Sequence, residues 1–186
     1  GGSTPVPFFK ALAQKPLEWA RVDITLADER WVGEQSSDSN AKLVRDNLLQ
    51  GPAAAANFVP LTSDAGTPEE GVAAVAEATA GLAWPASVVI LGMGGDGHTA
   101  SLFPDSQELD LALSTDEPLV AVRTPSQPQP RITFSADRLH QAKRHILHIT
   151  GDDKRAVLAN AMSGDDVRTL PIRAFLSCPL AIYWAP

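Results

Sequence analysis

The chain has 186 residues, 44% of them apolar, enough for one domain with a packed core and too apolar for a disordered one. Its formal charge is −7, so the surface as a whole disfavours nucleic acid and anionic membrane, and an anionic small ligand would need local cations. The single Cys178 excludes an internal disulfide and suits a reducing cytoplasm, and no run reads as a bilayer span or a signal peptide.

Gly1-Gly2-Ser3-Thr4-Pro5 is loop chemistry. It reads either as linker residue or as the interior of a longer chain, and Pro5 suits the first position of a helix capped by Ser3 or Thr4. That helix is expected over residues 5–14, then a strand over 21–27 that ends in Asp28-Glu29-Arg30 where it meets a loop. Asp38 or Ser39 would cap a helix over 40–49, which Gly51-Pro52 stops. A short strand is expected over 57–61. Thr67-Pro68-Glu69-Glu70 starts an Ala-rich helix that runs to Trp84. Residues 87–91 are a short, β-branched, apolar run with the look of a buried strand. Beyond Pro104 come strands over 119–122, 131–134, 145–149 and 180–184. Between them fall a proline-rich loop over 124–130 and helices over 135–142 and 152–162, with a short one after Pro171. Strands alternate with helices, so the chain reads as one α/β domain over 1–186, with a largely parallel sheet flanked by helices.

The strand over 87–91 runs into Gly92-Met93-Gly94-Gly95-Asp96-Gly97-His98. Glycines let the backbone turn sharply and approach a ligand closely. The run satisfies G-x-G-x-x-G, but a dinucleotide site needs a long helix next, and Pro104 falls seven residues after Gly97. What remains is an acid and an imidazole two residues apart in a glycine-lined turn. A carboxylate beside an imidazole orients it and selects the tautomer a general base needs. The alternative is a histidine packed under the loop for structure alone.

Elsewhere the bland readings are stronger. Asp28-Glu29-Arg30 would normally be a solvated strand end. Arg131 and Lys154 are lone cations, but Lys154 falls in the first turn of a helix, where the dipole disfavours a cation unless an anion is present. Gly1 to Thr4 offer N–H groups and hydroxyls at another helix start, a fitting phosphate cradle. His145 and His148 are three apart on a strand and point to opposite faces, so they do not share a metal, and no zinc spacing is present. No G-x-S-x-G elbow occurs, and Cys178 before Pro179 reads as packing.

The run Gly95-Asp96-Gly97-His98-Thr99-Ala100-Ser101-Leu102-Phe103-Pro104, with Asp28-Glu29-Arg30-Trp31-Val32 and Asp38-Ser39-Asn40, resembles the 6-phosphogluconolactonase family. Gly1-Gly2-Ser3-Thr4-Pro5 is similar to that family's phosphate loop. Arg131-Ile132-Thr133 and Thr150-Gly151 followed by Lys154 are similar to its later substrate segments. The likeness runs through the whole chain in family order. Gly33 stands where the family often has proline, and Gly95 where an acid is common. The resemblance implies a Rossmann-like fold shared with glucosamine-6-phosphate deaminases and related sugar isomerases. A strand precedes the phosphate loop in that fold, which implies that residues upstream are missing from this chain.

The resemblance further implies hydrolysis of 6-phospho-D-glucono-1,5-lactone without metal or organic cofactor. His98 would be the general base and Asp96 its orienter, with N–H groups of Gly94 and Gly95 near the developing oxyanion. Gly2, Ser3 and Thr4 would seat the phosphate, neutralised by Arg131 and Lys154. Arg30 would reach phosphate or sugar, and Asp28 and Asn40 would bind hydroxyls or hold the loop. A cytoplasmic monomer or weak homodimer is expected, with a phosphorylated sugar lactone as partner and neither nucleic acid nor membrane. Two other readings stand beside it: an aminosugar-6-phosphate deaminase or isomerase of the same fold, and a sugar-phosphate sensor without turnover. The run Thr99-Ala100-Ser101-Leu102-Phe103 favours the lactonase over the deaminase, in which an Ile-Ala-Phe run follows the histidine.

Overall fold

The computed structural model describes residues 2–186; Gly1, the expected head of the phosphate loop, lies outside the described residues. The chain opens with α1 (Val6–Ala13), β1 (Asp23–Ile24), β2 (Asp28–Arg30), α2 (Asn40–Asn47), β3 (Asn57–Phe58) and α3 (Pro68–Ala80). It continues through β4 (Val89–Leu91), α4 (Leu109–Ser114), β5 (Leu119–Val122), β6 (Arg131–Phe134) and α5 (Ala136–His140). It ends with β7 (His145–Thr150), α6 (Asp152–Met162), α7 (Arg173–Leu176) and β8 (Leu180–Ala185). This is the expected α/β alternation.

The strands form three ladders. β1 pairs with β3 in parallel, β4–β7–β8 is parallel throughout, and β2–β6–β5 is antiparallel. The parallel pairs β1–β3, β4–β7 and β7–β8 each have helices between their strands, as a parallel crossover requires. The expected strand over 21–27 is corrected: only Asp23–Ile24 belongs to it, and the charged run after it is itself a strand, β2, of the antiparallel ladder. Charged residues suit this because β2 alternates, with Glu29 buried and its neighbours on the other face.

Three helix starts follow the expected chemistry, whereas α1 does not: Pro5 is its cap residue, not its first helical position, and neither Ser3 nor Thr4 caps it with a side chain. Ser39 Oγ accepts from the Lys42 amide at 3.1 Å, Thr67 Oγ1 from Glu70 at 3.3 Å and Ser135 Oγ from Arg138 at 3.3 Å. α3 ends at Ala80, with Gly81 as its cap, short of the expected Trp84. α4 was not expected: it is six residues long, too short for periodicity to show, and buries Leu109 and Ala112. The core gathers Leu91, Phe103, Ile132, Phe134, Leu147 and Phe175, all essentially inaccessible. Each such side chain contributes about 1.5–3 kcal/mol by burial.

The register places the site. Leu91, the last residue of β4, lies opposite Leu147 of β7. The loop leaving β4 and the turn from β7 into α6 therefore emerge side by side at the carboxyl ends of parallel strands. That edge is where open α/β sheets bind ligands.

Candidate active site

The glycine turn is closed by its own backbone. The Gly94 amide donates to the His98 carbonyl at 2.9 Å, and the Gly97 amide to the Gly94 carbonyl at 3.2 Å. Thr99 Oγ1 donates to the Gly92 carbonyl at 2.8 Å. Gly97 has φ +76°, and a Cβ there would meet Leu170 at 2.4 Å. Gly94 is glycine for a different reason: a Cβ would stand 2.2 Å from His98 Nδ1 and 2.5 Å from Asp96 Oδ1. The imidazole and carboxylate lie directly on its Cα. The Gly94 amide, expected near an oxyanion, is used inside the turn. The Gly95 amide has no protein partner among the described residues.

His98 Nδ1 and Asp96 Oδ1 are 2.6 Å apart, and the same oxygen accepts the His98 amide at 3.1 Å. Burial pushes the Asp96 pKa up. The hydrogen bond and charge of His98 more than offset this, so the carboxyl lies below its ordinary value of 3.8. An ionised Asp96 only accepts, so Nδ1 carries the proton of that bond, and the tautomer it selects is the one whose neutral form has its lone pair on Nε2. The His98 side chain is 27% exposed, so solvent reaches the ring.

The first residues of the same turn, Gly92 and Met93, line a cleft of about 150 Å³ together with Thr4, Thr150 and Lys154; Asp96 and His98 themselves do not line it. The Thr4 and Thr150 hydroxyls are 3.2 Å apart, which joins the chain start to the end of β7. Lys154 stands in the first turn of α6, with its Nζ 3.6 Å from where a Gly95 Cβ would be. The structure thus brings together Thr4, the glycine turn and Lys154. Gly2 and Ser3 are exposed and do not line this cleft.

Arg131 is placed differently. It begins β6, every residue of which is buried, and is itself only 5% exposed. Its Nη1 is 3.6 Å from Asp28 Oδ2, its Nη2 donates to Gln127 at 3.2 Å, and its Nε has no partner among the described residues. Burial pushes its pKa down, with Asp28 opposing. It does not line the Lys154 cleft, so the expected gathering of Arg131 and Lys154 around one open cavity is not the arrangement seen. Arg30 lies opposite Arg131 in register and donates to the Asp38 carbonyl at 2.6 Å. Asn40 and Asp28 are joined to each other, and Asp28 to the turn that carries Ser101. Asn40 Nδ2 donates to the Asp28 carbonyl at 3.0 Å, and Asp28 Oδ2 accepts from Ser101 Oγ at 2.6 Å.

Sequence reasoning passed over Glu29. Its fully buried carboxylate accepts from the amides of Arg30 at 2.8 Å and of Asn40 and Ala41 at 2.7 Å, and from Ser39 Oγ at 3.2 Å. It holds the start of α2 against β2. Burial pushes its pKa above the ordinary 4.5, against the pull of those amides. The signal was the alternation in Asp28-Glu29-Arg30, legible only once the run is taken as a strand. His145 and His148 lie on opposite faces of β7 as expected: His145 is buried with Nε2 3.1 Å from the Leu139 carbonyl, while His148 faces Phe8. Cys178 donates to the Phe175 carbonyl, and burial pushes its thiol up.

Known proteins share both sequence and shape. The family described as glucosamine-6-phosphate isomerases/6-phosphogluconolactonase matches residues 1–184. A 6-phosphogluconolactonase of Pseudomonas aeruginosa is 45% identical over 188 residues, covering 100% of this chain and 79% of its own length. One from Rhizobium meliloti is 45% identical over 191 residues, covering 100% and 82%. The crystal structure of a 6-phosphogluconolactonase from Shewanella baltica superposes with a TM-score of 0.99 at 42% identity, covering 100% of this chain and 81% of that one. A monomeric glucosamine-6-phosphate deaminase, 17% identical with a TM-score of 0.78, shares the fold alone. This chain belongs to the glucosamine-6-phosphate isomerase/6-phosphogluconolactonase family.

Proposed function

We propose that this protein is a lactone hydrolase that converts 6-phospho-D-glucono-1,5-lactone to 6-phospho-D-gluconate in the oxidative pentose phosphate pathway. The relatives named 6-phosphogluconolactonase support the substrate class. The observation that carries the chemistry is the 2.6 Å Asp96–His98 pair, partly open to solvent, in a turn whose first residues line the Lys154 cleft.

In this reading His98 Nε2 takes a proton from water as the water oxygen bonds to the lactone carbonyl carbon. The carbonyl oxygen becomes an alkoxide, to which the Gly95 amide, without a protein partner among the described residues, donates. As the carbonyl re-forms, the bond from carbon to ring oxygen breaks and the imidazolium returns its proton to that oxygen. The products are a carboxylic acid, which ionises, and the freed hydroxyl. Asp96 keeps the imidazole in the required tautomer throughout. Lys154 and Thr4 receive the phosphate, with Gly2 and Ser3 as further donors. Arg131 and Arg30 add positive potential from β6 and β2, while Asp28 and Asn40 tie β2 to the start of α2 and to the turn that carries Ser101. The whole chain, residues 1–186, acts as one domain. No helix among the described residues is long and apolar enough to cross a membrane. The setting is the cytoplasm and the state a monomer or weak homodimer, without metal or organic cofactor.

The test is a lactonase assay at controlled pH with the spontaneous hydrolysis rate subtracted. His98→Ala is expected to lose kcat by about a hundredfold or more, as for the loss of a general base. Near-normal turnover by that variant removes His98 from the mechanism.

A further inference from the structure

Phe103 is fully buried, and the bland account of a buried phenylalanine is core packing. Its surroundings say more. Its ring lies against the imidazole of His98, with centroids 4.2 Å apart and planes 32° from parallel. The Arg131 guanidinium stands 5.0 Å from the centroid of the same ring. The backbone that returns Phe103 to His98 is strained: Ala100 has φ +49°, a left-handed conformation uncommon for alanine. That turn is held by the Leu102 amide on the Thr99 carbonyl at 3.0 Å and the Ser101 amide on Thr133 Oγ1 at 3.3 Å. Ser101 Oγ on Asp28 holds it further. Strain of this kind persists where neighbours over-determine it, and it concentrates at functional sites.

We propose that Phe103 is a positioning residue for His98, its ring face setting the plane in which the imidazole lies. The proposal rests on the reading of His98 as the base. The bond from Nδ1 to Asp96 fixes one atom of the imidazole and leaves the ring free to tilt about it. A flat aromatic face 4.2 Å away removes that freedom, so Nε2 is aimed in one direction. Arg131 in turn fixes the phenyl ring, since its guanidinium is held by Asp28 and Gln127. A base that tilts spends less time in line with the water proton, and the loss falls on kcat rather than on substrate binding.

The experiment compares hydrolysis by the wild type, His98→Ala, Phe103→Leu, Phe103→Tyr and Phe134→Leu, each normalised to its folded fraction. Phe134 is 1% exposed and packs on Trp84, so its truncation costs similar core volume away from the site. Phe103→Leu is expected to lose kcat about tenfold or more with KM within about twofold. Phe103→Tyr, which keeps the aromatic face, and Phe134→Leu are expected to stay within about threefold of wild-type kcat while losing thermal stability. Wild-type kcat in folded Phe103→Leu, or an equal loss in Phe134→Leu, overturns the proposal while a dead His98→Ala leaves the base reading standing. An inactive wild type, or full turnover by His98→Ala, overturns the base reading and the proposal together. Should the leucine variant not fold, nuclear Overhauser contacts between the Phe103 and His98 rings of the wild type decide it, and their absence overturns it.

Discussion

At the scale of single residues, the centre of this protein is a contact between two side chains two positions apart. Asp96 is held below 3.8 because ionisation keeps its bond to His98, even though burial opposes the charge. A carboxylate with a lowered folded-state pKa contributes stability that is fully present above the unfolded value and lost as pH falls through the folded one. Asp96→Asn is therefore expected to melt below the wild type at pH 6, with the gap closing as pH drops below 3.8; thermal melts across that range check it. The same variant is expected to lose kcat about tenfold or more, because an amide presents its oxygen to Nδ1 less strongly and stabilises the imidazolium less. The sequence made this pair legible because both residues sit within one turn, where spacing alone implies contact. It did not reveal why Gly94 must be glycine. The 2.2 Å approach of the imidazole to a would-be Cβ exists only once the turn is folded.

At the scale of elements, the carboxyl ends of β4 and β7 and the start of α2 carry the arrangement. Glu29 joins β2 to α2 through four donors in a site with no solvent. Its removal strands those donors, each at about 1–3 kcal/mol when buried. Glu29→Ala is expected to cost about 3 kcal/mol or more, read by urea unfolding, because part of that desolvation is recovered by relaxation. Fold-level alternation and most caps were readable from the chain: Ser39, Thr67 and Ser135 each accept the expected amide. The strand limits were not. Residues 21–27 look continuous, yet the chain leaves β1 beside β3 at Ile24 and joins another sheet at Asp28, as β2 beside β6. Pairing partners far along the chain decide that, and local alternation carries no record of them.

For the whole molecule, the question is how a chain of net charge −7 receives an anion. Thr4, the β4 loop and Lys154 are far apart in sequence and meet at one cleft because parallel strands deliver all their carboxyl ends to one side. Lys154→Ala is expected to raise KM for the 6-phosphate lactone about tenfold while changing KM for glucono-lactone little, since one charge-assisted contact is worth roughly 1.5–3 kcal/mol. Equal effects on both lactones would reject the phosphate role. Arg131 shows the limit of the sequence reading. Its charge and position were plain, but its burial beside Phe103 was not, because exposure depends on what the rest of the fold stacks above a strand. The sequence by itself determined what acts over short range: the α/β alternation, the glycine turn, and the acid and imidazole within it. Only the tertiary structure decided which distant residues meet at the cleft, that Glu29 joins β2 to the start of α2, and that Phe103 lies against His98. Those outcomes follow from long-range packing, which depends on the summed burial of the whole chain and is written at no single position.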